Sequence, residues 1–128
     1  MDILLDTHTF LWLDSRLELL SENAVKALTD ADNILYLSSI SDWEIAQKFV
    51  LGKLPLPLCP SQYLTTRKSM YGIETLTFDN KAAFELEKLP LLHKDPLDRM
   101  LICQAIEHGL TIVTNDRYIE QYPIKTLW

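Results

Sequence analysis

Glycine is scarce in these 128 residues, with three in all, and cysteine is scarcer, with two. Cys59 lies in the proline-rich run KLPLPLCP and Cys103 in an apolar helical pattern, and neither has metal-site spacing. His8, His93 and His108 lack zinc spacing as well, so a zinc framework is excluded. No apolar run reaches the roughly 18–20 residues that span a bilayer. The opening MDILLDTHTF has neither the basic start nor the small-residue cleavage site of a signal peptide. A cytoplasmic chain with reduced thiols is therefore expected. Basic residues are in deficit, 12 against 18 acidic ones, for a formal charge of −6. That balance argues against a nucleic-acid binder, unless several of the acids surround a cation that neutralises them. Internal repeats and low-complexity segments are also absent, and a single domain over residues 1–128 is expected.

The rest of the sequence alternates between two periodicities. DILL (2–5), ILYLS (34–38), IETLTF (73–78), LTIVT (110–114) and IKTLW (124–128) read as strands. Between them lie helical stretches: THTFLWL after Asp6, ENAVKALTDA behind a Ser21 cap, and DWEIAQKFVL behind Ser41 and ahead of Gly52. SQYLTTRKSMY precedes Gly72, NKAAFELEKL follows Asp79, and PLDRMLICQAIEH ends at Gly109. In the helix after Ser41, Ile45, Ala46, Phe49 and Val50 mark the expected core face. Strands alternating with helices predict an α/β fold, with a mainly parallel sheet of four to five strands and helices on both sides. In such sheets, sites form beyond the C-terminal ends of the strands.

That rule selects four acids. Asp6 follows DILL, Glu44 begins the helix after ILYLS, Asp98 opens the helix leading into LTIVT, and Asp116 follows LTIVTN. Each also has a plain structural reading. Ser41-x-x-Glu44 matches a capping box, and Glu44 stands i,i+4 from Lys48. Asp116 could cap the turn at Arg117. Their joint placement is what singles them out. Carboxylates gathered together raise one another's pKa and persist with a cation between them, and an all-oxygen donor set suits Mg²⁺ or Mn²⁺.

In HKDPLDRM (93–100), two aspartates flank Pro96. Asp95 precedes the proline, is pushed out of helical geometry, and suits an N-cap with Pro96 at the first helical position. Asp98 shares the i, i+3, i+4, i+7 stripe of Leu101, Ile102 and Ala105, which faces the sheet. Asp95 is expected to start the helix, and Asp98 to serve as the metal ligand.

The segments LLDTHTFLWL (4–13), SISDWEIAQKFVLGKLPLP (39–57), HKDPLDRMLICQA (93–105) and TIVTND (111–116), in this order and spacing, resemble PIN-domain ribonucleases, and in particular VapC-type toxins of toxin–antitoxin pairs. The resemblance runs over essentially the whole chain and implies a PIN-like three-layer α/β/α sandwich. It matches the family's four acids to Asp6, Glu44, Asp98 and Asp116, and a supporting hydroxyl to Thr114. Leu97 stands where the family's DPFDR form has an aromatic residue. The activity implied is endonucleolytic RNA cleavage dependent on one or two Mg²⁺ or Mn²⁺ ions, leaving a 5′-phosphate and a 3′-hydroxyl. The partners implied are an RNA substrate, a cognate antitoxin and a second copy of the chain. Two phosphotransfer folds of similar build fit less well. A receiver domain needs paired acids after its first strand, and a haloacid-dehalogenase-like phosphatase needs D-x-D, where this chain has Asp6-Thr7-His8.

Lys48, Lys94, Arg99 and Arg117 fall near the strand-end edge and could meet phosphates, or could be solvated surface charge. His8 and His93 could touch RNA, and otherwise read as polar helix or loop residues. Phe10, Leu11 and Trp12 could be core or part of a dimer surface.

Overall fold

A computed structural model describes residues 1–128. Its strands are β1 (Asp2–Leu5), β2 (Ile34–Ser38), β3 (Ile73–Leu76), β4 (Thr111–Val113) and β5 (Lys125–Leu127). Its helices are α1 (Thr7–Ser15), α2 (Glu22–Thr29), α3 (Ser39–Val50), α4 (Pro60–Tyr71), α5 (Asn80–Glu85), α6 (Pro96–His108) and α7 (Arg117–Glu120). All five strands are parallel, in the order β3-β2-β1-β4-β5. β1 is central because DILL is apolar on both faces: Ile3, Leu4 and Leu5 have no exposed surface.

Alternation along the strands divides the core in two. Ile3, Leu5, Leu35, Leu37 and Val113 pack with Phe10, Ala24, Leu28, Ile45, Tyr63 and Leu64 under α1–α4. Leu4 and Ile112 pack on the other face with Ala82, Leu101, Ile102, Ala105, Ile119 and Tyr122 of the α5–α7 layer. The result is the expected sandwich of helices on both sides of a sheet. Phe10 belongs wholly to the core, and Leu11 and Trp12 lean on it, with Trp12 edge-on to Trp128 at 6.0 Å. Asp14 ties α1 to α4 by accepting from the hydroxyls of Tyr63 (2.7 Å) and Tyr71 (3.0 Å) and pairing with Arg67 (3.0 Å).

Several helix starts follow from local chemistry. The Ser21 hydroxyl accepts from the Ala24 N–H, and Asp79 accepts from that of Ala82. Asp95 accepts from both Leu97 N–H (3.0 Å) and Asp98 N–H (3.3 Å). Removing that cap by Asp95→Ala is expected to cost about 1 kcal/mol of stability, read by denaturant unfolding. Gly109 ends α6 at φ 65°, a left-handed geometry that a side chain would strain.

Three sequence expectations change. Helix α3 is capped by Ser38, whose hydroxyl accepts from Ile40 N–H, and not by Ser41. Ser41 is fully buried one turn inside and accepts a 2.8 Å hydrogen bond from the Thr7 hydroxyl, so tertiary packing claimed the residue that local pattern gave to a cap. Val50 is 77% exposed at the helix end and lies off the core face. NKAAFELEKL splits into α5 and a 3₁₀ turn at Leu86–Lys88.

Candidate metal centre

Going from β1 to β2 and β3 the chain moves one way across the sheet, and β4 and β5 lie on the opposite side. The switch falls between β1 and β4, where a crevice opens past the strand ends. Asp6 leaves β1 there, with its own N–H still bonded to the Val113 carbonyl at 3.3 Å. Thr114 leaves β4 beside it. The Thr114 hydroxyl donates to Asp6 Oδ2 at 2.8 Å and accepts from Asp116 N–H at 3.0 Å. A single hydroxyl thus fixes one acid and the backbone of another.

Asp116 caps α7, its Oδ1 accepting from Tyr118 N–H at 2.8 Å. Asp98 sits on the first turn of α6, above a stripe in which Leu101, Ile102 and Ala105 are buried. Its Oδ2 lies 3.2 Å from His93 Nε2. Each of the three aspartates therefore spends an oxygen on a donor of this chain.

Charge behaves as such a grouping requires. Burial pushes the Asp6 carboxyl above its ordinary range, Asp116 adds to the rise, and the Thr114 hydroxyl and the nearby His8 oppose it. Burial pushes Asp98 further, to about 7, with Asp95, Asp6 and Asp116 adding and His93 opposing. The site holds more negative charge than the chain itself offsets. Three hard oxygen donors with unmet charge fit Mg²⁺ or Mn²⁺ better than a soft metal.

The sequence-derived residues do not all converge. Asp6, Asp98 and Asp116 act on one another, and Thr114 joins two of them. Glu44 Oε2 instead pairs with Lys48 Nζ at 2.8 Å, and no hydrogen bond links it to the aspartates. Its helix reaches the site indirectly, through the Ser41–Thr7 bond next to Asp6. Arg99 Nη1 donates to the Pro90 carbonyl and the Tyr122 hydroxyl, both at 2.9 Å, so its guanidinium braces the loop before α6. Lys94 and Arg117 are exposed.

His93 is where the sequence reading fell short. It is a nearly buried member of the site, with Nδ1 2.8 Å from the Tyr122 hydroxyl and its ring parallel to Tyr118 at 5.5 Å. Its place five residues before Asp98, on a loop that must fold back over α6, was the available signal. A separate group, Asp79, Glu107 and His108, has possible ligand atoms within 4.8 Å of one another. Glu107 and His108 lie about 15 Å down α6 from Asp98, so this group is apart from the strand-end site.

Known proteins agree with this architecture. Ribonuclease VapC22 of Mycobacterium tuberculosis is 29% identical over 121 residues, covering 94% of this chain and 91% of that protein. VapBC2 from Rickettsia felis, solved with a DNA fragment of its promoter, aligns with 99% of this chain and 98% of its own at a TM-score of 0.75 and 19% identity. DNA-bound VapBC from Salmonella typhimurium aligns with 99% and 97% at 0.70 and 22%. At those identities the structural likeness is one of fold. The family model described as PIN domain matches residues 3–125, and the chain belongs to that family.

Proposed function

We propose that this protein is a metal-dependent endoribonuclease and the toxin of a type II toxin–antitoxin pair. The observation that carries the reading is the placement of Asp6, Asp98 and Asp116 at the β1–β4 switch, near enough for their charges to act on one another, with two of them raised in proton affinity. Family membership and the ribonuclease named among its relatives support the substrate class.

One or two Mg²⁺ or Mn²⁺ ions held by these carboxylates would offset charge on the phosphodiester and lower the pKa of an attacking water. The chain's own contribution is positioning. Thr114 holds Asp6 and the Asp116 backbone in register. His93 fixes the orientation of the Asp98 carboxylate. Glu44, paired with Lys48, stands one shell further out and would act through water or as a base. Exposed Lys94 and Arg117 would meet phosphates of the substrate. Lys48 and Arg99 are already engaged within the chain, and release from those bonds would be needed for the same role.

The related solved structures are VapBC and FitAB complexes, which supports a cognate VapB-like antitoxin as partner and a homodimer as the toxin's state. Trp43, Val50 and Leu51, exposed on and just after α3, are surface such partners would cover. No helix is long and apolar enough to cross a membrane, and we assign the activity to the cytoplasm, where RNA is available.

The test is incubation of the purified chain with RNA and Mg²⁺ or Mn²⁺, followed by mapping of fragment ends. Cleavage leaving 5′-phosphates and 3′-hydroxyls, abolished by EDTA, is the expected result. Cleavage that persists in EDTA would refute the metal centre.

A further inference from the structure

Tyr118 is 57% exposed, two residues after Asp116. Its position is fixed by contacts with the strand-end site. Its backbone N–H donates to Asp116 Oδ1. One face of its ring lies on His93, with centroids 5.5 Å apart and planes within 5°. The His93 ring is clamped in turn between Asp98 Oδ2 (3.2 Å) and the Tyr122 hydroxyl (2.8 Å). That hydroxyl is itself anchored by the Arg99 guanidinium. The exposed ring is therefore backed by His93, whose ring nitrogens contact Asp98 and Tyr122, and its backbone is tied to Asp116.

We propose that Tyr118, stacked on His93, is a platform for one base of the RNA next to the scissile phosphate. The inference rests on the ribonuclease reading above. Single-stranded RNA is held by stacking unpaired bases on aromatic rings, and a ring contributes most where its other face is already supported. Here His93 supports that face, so the ring needs little ordering when a base arrives. Adjacent Arg117, also exposed, would meet the phosphate of the same nucleotide. Stacking accepts any base but favours the larger purine surface, so the platform would bias the cut site toward a purine at that position.

The experiment compares the native chain with Tyr118→Leu and Tyr118→Trp on single-stranded RNA oligonucleotides that vary base by base around one cut site. Tyr118→Leu is expected to raise KM roughly tenfold, within the range that loss of a stacked base produces, with kcat changed less than about twofold. The purine bias should vanish, and Tyr118→Trp should restore both. Mn²⁺ binding, followed by thermal shift, should be unchanged in Tyr118→Leu. An unaltered KM and base preference would overturn the proposal. So would a fall in kcat and Mn²⁺ affinity with KM intact, which would mean that the ring only braces His93 against Asp98. A native chain that cleaves no RNA overturns the ribonuclease reading and this proposal together, and is distinguishable because the failure appears before any substitution.

Discussion

Asp98→Asn is expected to lower RNA cleavage by at least about 100-fold, because it would remove a proposed metal ligand rather than one of its supports, and at the same time to raise the melting temperature of the metal-free protein. Both effects have one cause. The Asp98 carboxyl is held at about 7, by burial first and by the charges of Asp95, Asp6 and Asp116 next. Around pH 8 the folded chain therefore carries a carboxylate that its surroundings disfavour. Asparagine has the same shape, still offers an oxygen to His93, and removes the charge. Because Asp98 keeps about a fifth of its side-chain surface in water, the gain is limited, on the order of 1 kcal/mol or a few degrees. Asp6→Asn should behave likewise, since burial raises that acid too and its Oδ2 position can still accept from Thr114. Paired measurements of cleavage rate and thermal unfolding decide the matter. A variant that both loses activity and melts well below the native chain would point to a structural role for the acid.

The second large effect is a dependence of metal stabilisation on pH. Asp98 has a folded pKa raised from 3.8 to about 7. Between those values the native state binds more protons than the unfolded one, so the stability of the metal-free chain falls as pH rises through that window. Asp98 must give up its proton to accept a cation. Added Mg²⁺ or Mn²⁺ should therefore do little near pH 5 and most above pH 7. With the ion at about 100 times its dissociation constant the stabilisation approaches about 2.7 kcal/mol, and cleavage should climb over the same interval. Thermal melts across pH, with and without the ion, measure this. An equal metal shift at pH 5 and pH 8, or one that survives in Asp98→Asn, would contradict it.

Much of this was readable from local pattern. Asp95 and Asp98 separate because proline geometry and helical spacing are properties of neighbouring residues: Asp95 caps α6 as expected, and Asp98 lies in its first turn above the buried stripe. The convergence of Asp6 and Asp116 followed from strand order, which alternation and parallel pairing constrain. Ser41 misled because a capping pattern is short-range, whereas its actual partner, Thr7, is 34 residues away. Val50 misled because helical periodicity continues past the point where α3 runs out of sheet to cover. The His93–Tyr118 stack was not legible for a further reason: it depends on how the loop before α6 and the short α7 fold against each other, and the spacing of His93 from Asp98 does not encode that.

The position of β1 has a consequence for when the protein can act. The strand that comes first in this domain is the central one, and the Thr114–Asp6 bond spans 108 residues of chain. Asp6 directly follows β1, yet Thr114 and Asp116 reach it only after β4 docks against β1. Closure over that distance belongs to the slow, non-local part of folding. A centre built this way would stay unassembled until β4 has been made and has docked, so a nascent chain ending short of Thr111 would hold no ion there.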